Sequence, residues 1–390
     1  MNHLKKLLLA VFFVHFANEL LNIGLIVKLS SLTEGPIKKT VLVITIQTLA
    51  VLFAILLKSR LKKLDIRKST LATLFFMLPC WLSPELGLIW TTSLFFRVAF
   101  GYLALSQIMA MLPNLCEKET IAAENKKMQL WTTVSNALAY GVAPFAGFYL
   151  EGASIYYGNL ILIAIACVLV TLLPQSQNEK CEKQSIFAFT KTIRPRSISL
   201  IHFMVWIACG VFYILEVPLL TKQANLSAED ISIFFLASFA TNFIAVKFVP
   251  EKFFDKYASG SYFTLATCTL VICGTYLMSS SYWTVLILIM LIGAITGPLS
   301  LTLNTRVQKL SSARQREDYF LWYRVLIELG ILGGAGIVFA LQHTNNPFNS
   351  VAQVCFTLAG AVFVFGGFLK FDPMRYEPID SHLVQLKKEQ

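Results

Sequence analysis

Lys58-Ser-Arg-Leu-Lys-Lys-Leu-Asp-Ile-Arg-Lys-Ser69 is the stretch on which the fold turns. It is densely basic, yet apolar runs flank it on both sides, at 37–57 and 70–84. A helix that crosses the hydrocarbon core of a bilayer needs ~20 mostly apolar residues, and Lys and Arg accumulate in the loops that stay on the cytoplasmic side. The segment therefore reads as a membrane hairpin with its loop inside.

The same unit repeats outward in both directions. Spans are expected near 5–28, 37–57, 70–84, 87–112, 128–150, 154–174, 198–220, 229–249, 261–279, 283–305, 319–341 and 348–369; the third, held between Pro79 and Pro84, is short. With 56% apolar and only 14% charged residues, the 390-residue chain is too apolar for a soluble domain. The net charge of +11 suggests nucleic acid, but the basic residues sit in short loops between apolar runs, which is the positive-inside signal and rejects that reading. With both termini inside, 27 of the 33 Lys and Arg residues fall on the cytoplasmic side and Arg97 and Arg324 fall within spans. An odd number of spans would not make alternate loops and both termini basic, so an even count follows. The first run continues past a signal-peptide core and carries Asn18, Glu19 and Asn22, so it is expected to be a first span rather than a cleaved leader.

The longest internal loop, 175–197, is polar and ends in Arg194-Pro195-Arg196. It divides an all-α chain into six-helix bundles at 1–174 and 198–370, with a cytoplasmic tail at 371–390. Parallel six-span repeats joined in this way characterise one large transporter class, with the substrate between the halves. The eight cysteines show no metal-ligand spacing and are read as unpaired. No nucleotide-binding loop is present, and no Asp-x-Asp, His-Glu-x-x-His or Ser/His/Asp grouping, so a multi-span enzyme is the weaker reading.

Polar residues inside spans are the candidates for function. An Arg at membrane depth costs at least ~2.5–3.5 kcal/mol on insertion scales and must face a cavity or a partner. Arg97 lies ~15 Å from the outer end of the fourth span, too deep for easy snorkelling. Glu19 lies at a similar depth, ~12 Å from the outer end of the first span, with Asn18 and Asn22 beside it. In the second half, Arg324 and Glu328 are four residues apart, a spacing that lets them pair along one face, ahead of Gly330, Gly333, Gly334 and Gly336. Glu216 and Pro218 fall near the outer end of the seventh span, where a solvated carboxylate costs little. The embedded amides Gln107, Gln129, Asn136, Asn242 and Asn304 either glue helices or line the site. Among the aromatics, Trp131, Tyr140, Trp206, Tyr213, Trp322 and Tyr323 lie on or beside pore helices, and one or two would suit a bulky amphiphile.

Four stretches carry a family resemblance. The loop after the second span, with Lys63, Arg67 and Lys68, resembles in degraded form the G-x-x-x-D-R-x-G-R-R loop of the major facilitator superfamily; Lys62 stands at the Asp position and Asp65 at a Gly. The loop after the eighth span keeps an acidic-basic pair, Asp255-Lys256. Arg97-Val-Ala-Phe-Gly101 resembles the R-x-x-x-G stretch of proton-coupled members. Leu112-Pro113-Asn114, Ala122-Ala-Glu-Asn125 and Gly141-Val-Ala-Pro144-Phe-Ala-Gly147 are similar to the run found in superfamily exporters, especially the branch with enterobactin-type siderophore exporters and macrolide efflux proteins. Ala143 and Ala146 replace glycines there, and small residues keep the close helix contact.

The resemblance implies a major facilitator fold and alternating access. It places Glu19 and Arg97 beside one cavity, where they meet as the proton-coupling site, and gives Gln107, Asn136, Tyr213, Glu216, Asn304, Arg324 and Glu328 a place in or near the substrate path. Lys63, Arg67, Lys68, Asp255 and Lys256 become conformational latches, and Gly101, Gly141, Pro144 and Gly147 helix contacts. It implies no cofactor beyond the proton gradient, a monomer in the bacterial inner membrane, and export of a siderophore or amphiphilic drug, with two arginines suited to an anion. Import of a metabolite or siderophore is the alternative.

Overall fold

A computed structural model describes residues 3–30, 36–60, 65–82, 87–112, 115–116, 120–149, 153–173, 196–223, 225–248, 258–310, 313–344 and 346–368. Lys63, Asp255, Lys256, the linker through residue 195 and the tail lie outside the described residues, as do the side chains of Tyr213, Asn304 and Arg324.

Among the described residues twelve α-helices follow one another: α1 His3–Ser30, α2 Pro36–Arg60, α3 Ile66–Leu82, α4 Leu88–Ala110, α5 Ile121–Tyr149, α6 Ala153–Thr171, α7 Arg196–Pro218, α8 Ala228–Phe248, α9 Ala258–Met278, α10 Tyr282–Leu310, α11 Ala313–Leu341 and α12 Pro347–Phe368. A π-turn, Leu219–Gln223, continues α7. In lipid every backbone N–H and C=O needs an internal partner, and a helix supplies all of them within one segment. Seven of these helices are long and apolar enough to cross a membrane, and α2, α9 and α11 contain shorter apolar stretches. Outward-facing apolar side chains such as Leu71, Phe75, Ile161, Val168 and Phe363 are more than half exposed, as a surface solvated by lipid requires.

Several helices outrun the expected spans. α5 begins at Ile121 rather than near 128, and α11 at Ala313 rather than near 319. Hydropathy marks where a helix is apolar, not where its hydrogen bonding begins, and the first turns of α5 hold Glu124 and Lys127, paired at 2.6 Å. Side chains cap the starts of α3, α8 and α12. Asp65 Oδ1 accepts from Lys68 N at 2.9 Å ahead of α3, and Asn346 Oδ1 from Asn349 N at 3.1 Å ahead of α12. Before α8, Ser227 and Asp230 form a reciprocal capping box.

Packing repeats after six helices. α1 packs on α5 as α7 packs on α11; α2 on α4 as α8 on α10; α3 on α6 as α9 on α12. Between the repeats run two seams, α5 against α8 and α2 against α11. Glycine sets the closest approach: a Cβ on Gly210 of α7 would lie 2.6 Å from the backbone of Ile331, and one on Gly334 of α11 would lie 2.6 Å from Val211 N. Bare backbone there lets α7 and α11 touch, so α11 is held in place as the wall of the seam with α2.

Candidate functional site

Behind the α2–α11 seam lies a cavity with about 550 Å³ of empty space, its open mouth included. α1 contributes Glu19, Asn22 and Ile26; α2 contributes Ile44, Gln47 and Thr48; Tyr102 comes from α4, Trp206 from α7, and Ile327, Glu328 and Ile331 from α11. Most of these residues fall near the middle of their helices. Three helices of the first repeat and two of the second therefore enclose one space at mid-bundle. A relay of amides lines one side: Gln47 Nε2 donates to Asn22 Oδ1 at 3.1 Å, and Asn22 Nδ2 to the Tyr102 hydroxyl at 3.4 Å. Two carboxylates stand on the wall, Glu19 half-buried and Glu328 only 3% exposed.

Arg97 is fully enclosed in the first repeat and is not part of that lining. Its Nη2 donates to the Ala17 carbonyl at 3.1 Å and to Asn159 Oδ1 at 3.0 Å, and Asn159 Nδ2 donates to the same carbonyl. α4 and α6 thus grip the backbone of α1 two residues before Glu19. Glu19 acts on Arg97 through space, as do Cys80 and Tyr102. Asn18 points away from the cavity lining toward α4: it is 1% exposed, and a Cβ on Gly101 would lie 2.8 Å from its Oδ1. The R-x-x-x-G stretch therefore does two things at one level of the bundle, with Arg97 holding the α1 backbone and Gly101 making room for the next side chain. Trp90 Nε1 adds a 2.9 Å hydrogen bond to the Tyr156 hydroxyl, tying α4 to α6 once more.

The other expected residues are dispersed. Gln107 is half-buried on α4, and Asn136 on α5 has an Oδ1 with no hydrogen-bond partner among the described residues. Glu216 is 6% exposed, so the expectation of a solvated carboxylate near the end of α7 is corrected: α9, α11 and α12 pack around that helix and cover most of it. Gly141 lies 3.1 Å, measured from a built Cβ, from Leu236 of α8, and Pro144 is buried on the same helix; Gly147 lies in its last turn. Arg67 reaches across to the end of α6, where Nη2 donates to Thr171 O at 3.0 Å and Leu173 O at 3.1 Å, while Lys68 is exposed. Asn159, Gln47, Thr48, Tyr102 and Ile327 were not singled out in the sequence. Asn159, Gln47 and Thr48 interrupt apolar runs, which is the signal that marked the other amides.

A mid-bundle cavity between two six-helix repeats, with ionisable groups on its wall, defines a membrane transporter. The chain belongs to the Major Facilitator Superfamily, whose sequence model matches residues 7–335. It is a multi-pass membrane protein of transporter type and not an enzyme. Among solved structures it is similar to the human organic anion transporter MFSD10 (TETRAN), with a TM-score of 0.71 at 15% identity over 94% of this chain and 98% of that one. The nucleoside transporter NupG gives 0.67 at 14% identity over 97% and 100%. A POT family transporter in complex with a thioalcohol-conjugated peptide gives 0.66 at 14% over 93% and 96%. At these identities the likeness is one of fold. A search of curated proteins finds no match.

Proposed function

We propose that the chain is a proton-coupled exporter of a small organic molecule, working by alternating access, with Glu19 as the coupling carboxyl. The observation that carries this reading is the position of Glu19: it faces the mid-bundle cavity while the backbone two residues before it, at Ala17, is gripped by a buried Arg97. A carboxylate on a cavity wall exchanges its proton with whichever side the cavity faces. Arg97 then acts as a fixed charge and a clamp on α1. The aromatic faces of Trp206 and Tyr102 suit an apolar body, and the charges of Arg97 and Arg324 suit an anionic substrate.

Siderophores and amphiphilic drugs are the leading substrate classes, by the resemblance of the fifth span to exporters of both kinds. No cofactor is proposed beyond the proton gradient, and the working unit is a monomer in the bacterial inner membrane. The chain is read as two bundles, 1–174 and 198–370, joined by a cytoplasmic linker at 175–197 and followed by a cytoplasmic tail at 371–390. A reporter active only outside the cytoplasm should be silent after Lys388 and active between Glu151 and Tyr156; the reverse pattern rejects the orientation.

The functional test is accumulation in everted vesicles with and without a proton gradient, comparing ethidium with a catecholate siderophore precursor. Gradient-driven uptake of either one supports export and names the class. Uptake confined to right-side-out vesicles identifies an importer instead.

A further inference from the structure

Glu216 is the acid for which the cavity offers no account. It is 6% exposed, it is not among the lining residues, and it makes no hydrogen bond or ion pair with any described residue. Its neighbours in sequence, Ile214, Leu215, Val217, Leu219 and Leu220, all belong to the largest apolar cluster of the protein. The titratable groups within its electrostatic reach are Cys209 on its own helix and Cys273 and Tyr276 on α9, with Cys355 of α12 beside those thiols. Among the described residues no charged group of α1, α2, α9, α11 or α12 acts on it. Tyr276 is itself fully buried, and its hydroxyl has no hydrogen-bond partner among the described residues.

Among the described residues the carboxyl meets no counter-charge, and a carboxylate so placed is far more costly than the neutral acid. The backbone directly after it departs from α-helical geometry. Pro218 removes one donor, the π-turn Leu219–Gln223 follows, and Leu226 N closes the end on Leu220 O at 2.9 Å around Asn225, whose φ of 51° lies in the left-handed region. π-turns and prolines are where helices bend.

We propose that Glu216 is a second proton-binding site, in the second repeat, separate from the Glu19 cavity. In the packed conformation the side chain is the neutral acid. When α7 bends at Pro218 and the π-turn, the carboxyl meets water, hands its proton to a water molecule and becomes a carboxylate; on reclosure it takes one proton back from hydronium. This proposal rests on the proton-coupled reading for its role, but not for its existence.

Infrared spectroscopy of the full-length protein in liposomes at neutral pH tests the site. A protonated-carboxyl C=O band is expected in the wild type and lost in Glu216→Gln. A spectrum that Glu216→Gln leaves unchanged overturns the proposal. Its role is tested by dicyclohexylcarbodiimide, which modifies protonated carboxyls in apolar surroundings, with sites mapped by mass spectrometry. Imposing a proton gradient across the liposomes should change the rate of Glu216 labelling roughly tenfold, as a site that opens and closes requires. A band that behaves as expected with labelling indifferent to the gradient makes Glu216 a static acid and overturns its part in coupling. Failure of Glu19→Gln to alter pH-dependent transport counts instead against the Glu19 reading and leaves both Glu216 measurements standing.

Discussion

The two seams between the repeats are equivalent in topology and opposite in chemistry. Along α5–α8, Thr133 Oγ1 donates to Asn242 Oδ1 at 3.1 Å, and Asn242 Nδ2 donates to Thr296 of α10 at 3.3 Å. Tyr140 packs edge-on against Phe235 and Phe239 at 5.1 and 5.0 Å, and Gly141 lets Leu236 in. The middle of that seam is small, neutral and filled. Across α2–α11 the same level of the bundle holds an open cavity, an amide relay and two carboxylates. Repetition supplies the frame twice, but ionisable groups are tolerated where a cavity brings water to them, so the seams divide the work. We read α5–α8 as the pivot and α2–α11 as the site.

Removing the support behind the site should have the largest effect on this contrast. Arg97→Ala deletes the grip on Ala17 and leaves Asn159 and a void in the core, a loss of about 3 kcal/mol or more. Melting followed with a thiol-reactive dye, which the buried free cysteines permit, should drop sharply, and ligand binding at the α2–α11 cavity should go with it. A variant that melts and binds like the wild type would mean that the clamp is incidental. Gly334→Val comes next: the new side chain meets the backbone of α7, and such overpacking costs about 1–3 kcal/mol. Because α11 is then pushed off α7, the expected sign is weaker binding at the cavity with the α5–α8 seam intact, read by cysteine cross-linking across each seam.

Asn242→Leu should separate pivot from site. It removes two neutral hydrogen bonds and leaves the Thr133 hydroxyl with only the Gln129 carbonyl, at 2.8 Å, a change of about 1–2 kcal/mol. Transport should slow while the pH profile stays in place; a moved profile would erase the distinction between the seams. The smallest effect is expected for Arg67→Ala, which uncaps the last carbonyls of α6 for about 1 kcal/mol. If cycling also slows, the loop works as a latch as well as a cap.

Much of this architecture is legible in sequence, because lipid imposes one solution on an apolar run. The helix count, the repeat and the exceptional status of Arg97 all follow from hydropathy and from the cost of a buried cation. What stays hidden is rotation about the helix axis. In a membrane helix both faces are apolar, so no amphipathic signal tells whether Asn18 or Glu19 looks into the cavity; they are adjacent in sequence and face different neighbours. The partner of Arg97 is hidden for another reason, since half of it is the backbone carbonyl of Ala17, which carries no signature in the sequence. Glu216 shows that distance along a helix is not exposure. It lies near the end of α7, and the surrounding helices bury it all the same.

The central claim is that Glu19, on the wall of the α2–α11 cavity, carries the proton that drives transport. Its most direct test is the pH dependence of transport in reconstituted liposomes for the wild type and Glu19→Gln, with substrate binding measured in parallel. The amide keeps the shape of the side chain but cannot exchange a proton, so binding should persist while transport loses its response to the proton gradient. Transport by Glu19→Gln that still follows the gradient would contradict the account.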